Sequence, residues 1–205
     1  MEQTSQAVRP KHMGQKKLFD NPILERLTHT HIAVPITMFV VFSIGLLIYA
    51  FTYARLPFYL IGLLFTTGLL LFTLVEYLVH RYVFHMPAST PKKAKLQYTI
   101  HGVHHEYPKD KTRLAMPPVM SAVIALALLW ITTSLMGDYA YAFLPGFVLG
   151  YSGYLFVHYI THAYPPPANA FKILWINHSV HHYKAQNKAF GVSSPLWDYV
   201  FGTMP

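Results

Sequence analysis

The stretch YAYAFLPGFVLGYSGYLFVHYITH, residues 139–162, decides how the rest of the chain is read. Its body is apolar, aromatic or small and carries no Lys, Arg, Asp or Glu. At about 1.5 Å per residue, about 20 such residues in a helix cross a hydrocarbon core of ~30 Å. The stretch then ends in His158 and His162, an H-x3-H spacing that sets two imidazoles one helical turn apart on one face. A membrane span that closes on a pair of metal-ligating side chains is the pattern to look for elsewhere.

Working outward, three more apolar stretches of spanning length occur, at residues 32–54, 56–79 and 116–136, with the fourth at 139–159. The first two are separated by little more than Arg55, the last two by Gly137 and Asp138, so the spacing predicts two helical hairpins. Pro35, Pro57 and Pro117–Pro118 stand near span starts, where a missing N–H costs little, and Pro145 lies inside the fourth span as a kink candidate. Four buried core helices of a soluble protein is the competing reading, and the lengths disfavour it. The composition agrees with the membrane, with 53% apolar and only 12% charged residues in 205. There is no cysteine, which excludes disulfide frameworks, thiolate zinc sites, iron–sulfur clusters and a cysteine nucleophile.

Sixteen Lys and Arg against eight Asp and Glu leave a formal charge of +8. Fifteen of the sixteen fall before the first span, between the second and third, or after the fourth; Arg55 alone falls on the other side. The positive-inside rule makes the crowded side cytoplasmic, together with both termini. Contact with anionic headgroups then accounts for the charge, and nucleic acid is not an expected partner. The polar, basic residues 1–31 are expected to form a cytoplasmic segment with no cleavable signal peptide, and residues 32–205 one membrane domain. The expected location is a bacterial inner membrane, or the endoplasmic reticulum if the chain is eukaryotic.

Ten of the thirteen histidines fall into four groups on that same side: His80 and His85; His101, His104 and His105; His158 and His162; His178, His181 and His182. An ideal helix puts His101, His104 and His105 on one face but separates His80 from His85 by about 140°. That pair therefore binds different metals or has a helix end between its members. His12, His29 and His31 lie outside the groups and are read as interfacial. Ten imidazoles suit two metals at about five ligands each, in the borderline class of iron, zinc and copper. No Glu-x-x-His is present, which argues against the carboxylate-rich di-iron bundle. Glu76, one turn before His80, is expected either to hold that ring's N–H and fix its tautomer or to reach the interface; Asp198 is the matching candidate for the tail histidines.

Three segments then carry a resemblance: VEYLVHRYVFH (75–85), HGVHHEYPKDKTRLAMPP (101–118) and HHYKAQNKAFGVSSPLWDYVFGT (181–203). With their order and gaps, the chain from about Asn21 onward resembles the fatty acid hydroxylase/sterol desaturase superfamily, closest to its fatty acid 2-hydroxylase branch. The resemblance implies an all-α integral membrane fold, four spans under a cytoplasmic helical cap, and two iron ions held by the ten histidines. Zinc would be compatible with isolated protein. It implies O2-dependent hydroxylation at C2 of a long acyl chain, free or in a sphingolipid or ceramide. No His-Pro-Gly-Gly haem motif occurs, so the electron donor is expected to be separate: cytochrome b5, a ferredoxin or similar, with a reductase. Tyr154 is followed by Leu155 where the family pattern has a Tyr-Asp pair. Tyr154, Arg113, Lys184 and Trp197 are the candidate substrate contacts, and Gly191–Pro195 with Trp197 a lid over the metals.

Three alternatives stand beside this reading. A sterol or carotenoid hydroxylase or desaturase would use the same metals under a wider pocket. A metal transporter would place its ligands near the bilayer midplane, whereas every histidine group here sits at one face. A haem-binding membrane protein would need two axial histidines and leave eight unexplained.

Overall fold

The computed structural model describes residues 9–11 and 13–205; the reading of His12 falls outside them. Among the described residues there are helices and no strands. A short helix, α1 (Pro22–Leu27), is capped by Asn21, whose side chain accepts from the backbone N–H of Ile23 and Leu24. Then follow α2 (Ala33–Thr52) and α3 (Phe58–Val79), which runs into a π-helical turn at His80–Phe84. The loop side carries α4 (Pro91–Gln97), a second π turn at Tyr98–Gly102, and α5 (Val103–Glu106). After them come α6 (Pro118–Met136), α7 (Ala140–Ala163), α8 (Lys172–Tyr183) and α9 (Leu196–Val200).

Three helical stretches are long and apolar enough to cross a membrane: Ala33–Thr52, Phe58–Phe84 and Pro118–Ala163. The third is far longer than a bilayer needs. It divides at Gly137, whose φ of 56° and ψ of −134° stop α6, and a 3-10 turn leads into α7, which packs back against α6. Large apolar side chains face outward along all of these helices, Leu63, Leu126 and Trp130 being more than 60% exposed. Apolar surface on that scale is stable only in lipid, and the chain is an integral membrane protein. α7 runs unbroken through Pro145 and on to Ala163, so His158 and His162 both ride on it, the latter beyond the expected end at 159.

Helix α7 is the hub. It packs along α3 and α2 much more extensively than the sequence neighbours α2 and α3 pack on each other. Without water to drive helices together, close approach of backbones carries the packing in lipid. Gly68 on α3 faces Phe143 on α7, and Gly146 on α7 faces Phe65 on α3, so closely that a Cβ on either would run into the other's backbone carbonyl. Phe39 and Leu46 of α2, Ala125 of α6, and Leu144 and Val148 of α7 fill the remaining core.

Lys11 and residues 13–30 are stitched onto the segment that carries His101–His105. The backbone N–H of Lys11 donates to Glu106 O at 2.7 Å and that of Thr30 to Thr112 O at 2.7 Å. Arg113 donates to the Glu25 carboxylate at 2.5 Å, and also to the carbonyl of Lys16.

The α3–α7 contact gives a direct test. Gly146→Ala is expected to destabilise the detergent-solubilised protein by about 1–3 kcal/mol, as overpacking does. Gly153→Ala, on the same helix with nothing within 4 Å, should be neutral or slightly stabilising. Thermal unfolding of the two variants side by side measures the difference.

Candidate metal centre

Two local departures from the α-helix build the site. At the end of α3 the N–H of His85 donates to His80 O, five residues back, at 3.1 Å. That wider turn removes the 140° separation of an ideal helix, and the rings of His80 and His85 lie 5.1 Å apart. The helix ends at His85, which has φ −103° and ψ 29°. The second π turn, Tyr98–Gly102, places His101 in the same way ahead of His104 and His105. Single π turns inside helices recur at functional sites.

The ten histidines converge as two groups of five. His80, His85, His101, His105 and His181 form the first; His104, His158, His162, His178 and His182 form the second, with the candidate ligand atoms of each group within 4.8 Å of one another. The expectation that His101, His104 and His105 share one face is corrected: His104 points to the other group. The tail motif divides in the mirror sense, His178 and His182 going to one group and His181 to the other. His80 and His85 share a group, so neither a second metal nor a helix end between them is needed: the π turn brings them together. The groups adjoin, with the rings of His105 and His182 stacked at 4.2 Å.

The donor chemistry fits metal ions. Nε2 faces Nε2 in pair after pair: His80 with His101 at 3.1 Å, His181 with His85 at 3.0 Å, His158 with His104 at 2.9 Å and His178 with His162 at 2.7 Å. No carboxylate belongs to either group. Burial holds the imidazoles neutral, and neighbouring imidazoles add to the effect in all of those that follow except His181, where the Lys188 carbonyl opposes it. His101, His104, His105, His178 and His182 lie well below the ordinary value, His85 falls to about 3 and His181 to about 4. Neutral imidazole is the form that ligates a metal.

The remaining expected residues divide. Glu76 does not touch His80; its carboxylate accepts the backbone N–H of Val192 and of Ser193, each at 2.8 Å, and the Ser193 hydroxyl. Asp198 does not touch a histidine either, and accepts from Phe190 N at 2.8 Å, Gly191 N at 2.7 Å and the Thr203 hydroxyl at 2.7 Å. Arg113 is taken up by Glu25 and Lys16, with a further contact to His29 at 3.0 Å, so it is withdrawn as a headgroup contact. Lys184 is exposed just past α8. Tyr154 stacks on His158 at 5.4 Å. Trp197 donates its indole N–H to Thr73 on α3 at 2.9 Å, tying the tail down. Sequence reasoning missed the carbonyls of Lys188 and Phe190, which face Nδ1 of His181 and His80 at 2.7 and 2.6 Å. It also missed the strap formed by residues 13–30. Neither has a side-chain signature at the site.

Fold and site together define an integral-membrane protein with a histidine-only, two-group metal-binding centre at one end of its apolar helices. The fatty acid hydroxylase family model matches residues 65–203, and the chain belongs to that family. A dihydroceramide fatty acyl 2-hydroxylase of Arabidopsis thaliana is 40% identical over 147 residues, 71% of this chain and 62% of the relative. The ceramide very long chain fatty acid hydroxylase of Schizosaccharomyces pombe is 36% identical over 207 residues, 97% of this chain and 58% of the relative. Human fatty acid 2-hydroxylase is 36% identical over 148 residues, 69% of this chain and 39% of the relative. The chain thus spans less than two thirds of these relatives. Full-length scs7p, a solved structure with only its hydroxylase domain visible, superposes with a TM-score of 0.88 at 32% identity, covering 98% of this chain and 76% of that one.

The depressed histidines make metal-free protein acid-sensitive. Each has a folded-state pKa below its unfolded one, so across that interval the unfolded chain binds more protons. Stability is full above the unfolded value of about 6.5 and falls as pH drops from there towards the folded values, about 4 for His181 and about 3 for His85. The melting temperature of metal-stripped protein is expected to be flat between pH 8 and 7 and to fall steadily from pH 6 to 4.

Proposed function

We propose that the chain is a di-iron oxygenase that hydroxylates C2 of a long fatty acyl group, free or carried in a ceramide or other sphingolipid. The observation that carries this is the convergence of ten buried histidines as two groups of five at one end of apolar helices, in a member of the fatty acid hydroxylase family. His80, His85, His101, His105 and His181 hold one ion, and His104, His158, His162, His178 and His182 the other. Five nitrogen donors exceed the four of a closed structural zinc site, which favours iron in the active form. When bound, the irons supply O2 reduction: one oxygen atom enters the C–H bond as C–OH, and the other leaves as water with two electrons and two protons from a separate donor.

The chain's own residues hold the substrate and keep water out. α2, α3, α6 and α7 cross the bilayer as four spans with the histidine side and both termini in the cytoplasm, as the basic residues require. An acyl tail lying among those helices puts its carboxyl end, and not its methyl end, beside the histidines. The names of the relatives, which are 2-hydroxylases and ceramide hydroxylases, agree with that direction. Tyr154, stacked on a ligand histidine, borders the path of the chain, and exposed Lys184 is free to meet a polar headgroup. Trp197 holds the 188–203 segment closed over the first group through Thr73.

The test supplies purified protein with iron, a reducing system, 18O2 and a long-chain acyl lipid, and maps the product by mass spectrometry. One 18O at C2 is the expected result. A hydroxylated sterol or carotenoid, a double bond, or label from water overturns the assignment. His104→Ala is expected to lower bound metal and abolish turnover. A cysteine placed at Lys188 should stay unreactive to an impermeant reagent added outside intact cells.

A further inference from the structure

The segment that follows α8 is built as a carbonyl clamp. The Lys188 carbonyl lies 2.7 Å from His181 Nδ1 and the Phe190 carbonyl 2.6 Å from His80 Nδ1. A carbonyl only accepts, so both Nδ1 atoms must carry the proton, and both Nε2 lone pairs then face the first histidine group. Between the two carbonyls stands Ala189 with φ 54°. A side chain there costs roughly 1–2 kcal/mol, so the turn has to be imposed from outside.

Two buried carboxylates impose it. Asp198, fully buried, takes the N–H of Phe190 on one oxygen and that of Gly191 on the other. Glu76 takes the next two, Val192 and Ser193, on a single oxygen. Four consecutive backbone donors are thereby fixed, and the Ala189 N–H donates to Thr203 O at 2.8 Å. Thr203 in turn donates its hydroxyl to Asp198 at 2.7 Å. The second group has no such paired clamp: Nδ1 of His104, His178 and His182 is buried without a hydrogen-bond partner among the described residues, as is that of His105 in the first group, and the Leu114 backbone reaches His158 alone.

We propose that Glu76 and Asp198 are positioning residues that preorganise the first histidine group, so that it takes its metal ion more tightly than the second, which has no such carboxylate-held segment. This rests on reading both groups as metal sites. The carboxylates act through the backbone of residues 188–193, fixing tautomer and ring orientation in His80 and His181. Outer partners of ligating histidines typically change metal affinity about 10- to 100-fold.

The experiment titrates Co2+ into metal-stripped, detergent-solubilised protein against a competing chelator, following the visible absorption. Wild type is expected to show two classes of site, the tighter abolished by His80→Ala. Asp198→Asn, whose amide can accept only one of the two N–H groups, should weaken that tighter class about 10- to 100-fold and leave the other within twofold. Thr203→Val removes the hydroxyl that orients Asp198 and also meets the Tyr77 hydroxyl, should weaken the same class less, and carries the test if the Asp198 variant does not fold. Selective loss in one class separates positioning from general destabilisation. Both classes unchanged, or both weakened equally, would overturn the proposal. Wild type that binds fewer than two Co2+ would instead overturn the two-metal reading beneath it.

Discussion

Ten neutral imidazoles with their Nε2 atoms turned on one another at about 3 Å, away from water, are the constraint on which the rest depends. Where Nδ1 carries the proton, Nε2 has only a lone pair to offer, so the arrangement concentrates acceptors with too few donors between them. Buried acceptors left this way are costly, and a cation satisfies them all at once. The surrounding structure exists to hold this unfavourable cluster in place. α3 and α7 supply a floor whose backbones touch at Gly68 and Gly146, so the ends that carry His80, His158 and His162 cannot drift apart. Lys11 and the strap of residues 13–30 do the same from the water side for His101–His105, through Glu106, Thr112 and Arg113.

The way the two H-x2-H-H motifs divide follows from helix geometry. At about 100° per residue, positions i and i+4 lie on one side of a helix and i+3 about 100° from i+4. A helix that runs between two sites therefore gives two ligands to one and one to the other. The π turn with α5, and α8, do this in opposite senses: His101 and His105 join the first group with His104 in the second, while His178 and His182 join the second with His181 in the first. The ends of α3 and α7 add two each. Neither group can be assembled without the helices that also build its neighbour, so the centre forms as one unit.

Much of this was legible in residue order. Length and apolarity placed the spanning helices to within a few residues, and the clustering of histidines on one side named all ten members of the two groups. What failed has specific causes. A 3.6-residue period has no place for a π turn, so the relation of His80 to His85 was misjudged by the angle that an i→i+5 bond removes. Hairpin adjacency suggested that α2 and α3 pack together, but the small residues that let backbones meet are on α3 and α7. Glu76 and Asp198 were singled out by their distance in sequence from histidines, and their targets turned out to be N–H groups of residues 190–193, which no side chain announces.

Leu155 bears on how the centre meets its surroundings. It stands where the resemblance implied an acid after the tyrosine, and it is fully buried in the packing of α7. Its apolar side chain is therefore part of the floor. Tyr154, one residue earlier, turns the other way and stands in a ladder on α7: its ring stacks on Tyr151 at 5.8 Å on the bilayer side and on His158 at 5.4 Å on the other. Spaced i, i+3 and i+7, these three rings make one ladder from the apolar helices to the second histidine group. The same helix thus gives Leu155 to packing inside the floor and, one residue earlier, gives Tyr154 to the support of a histidine ring.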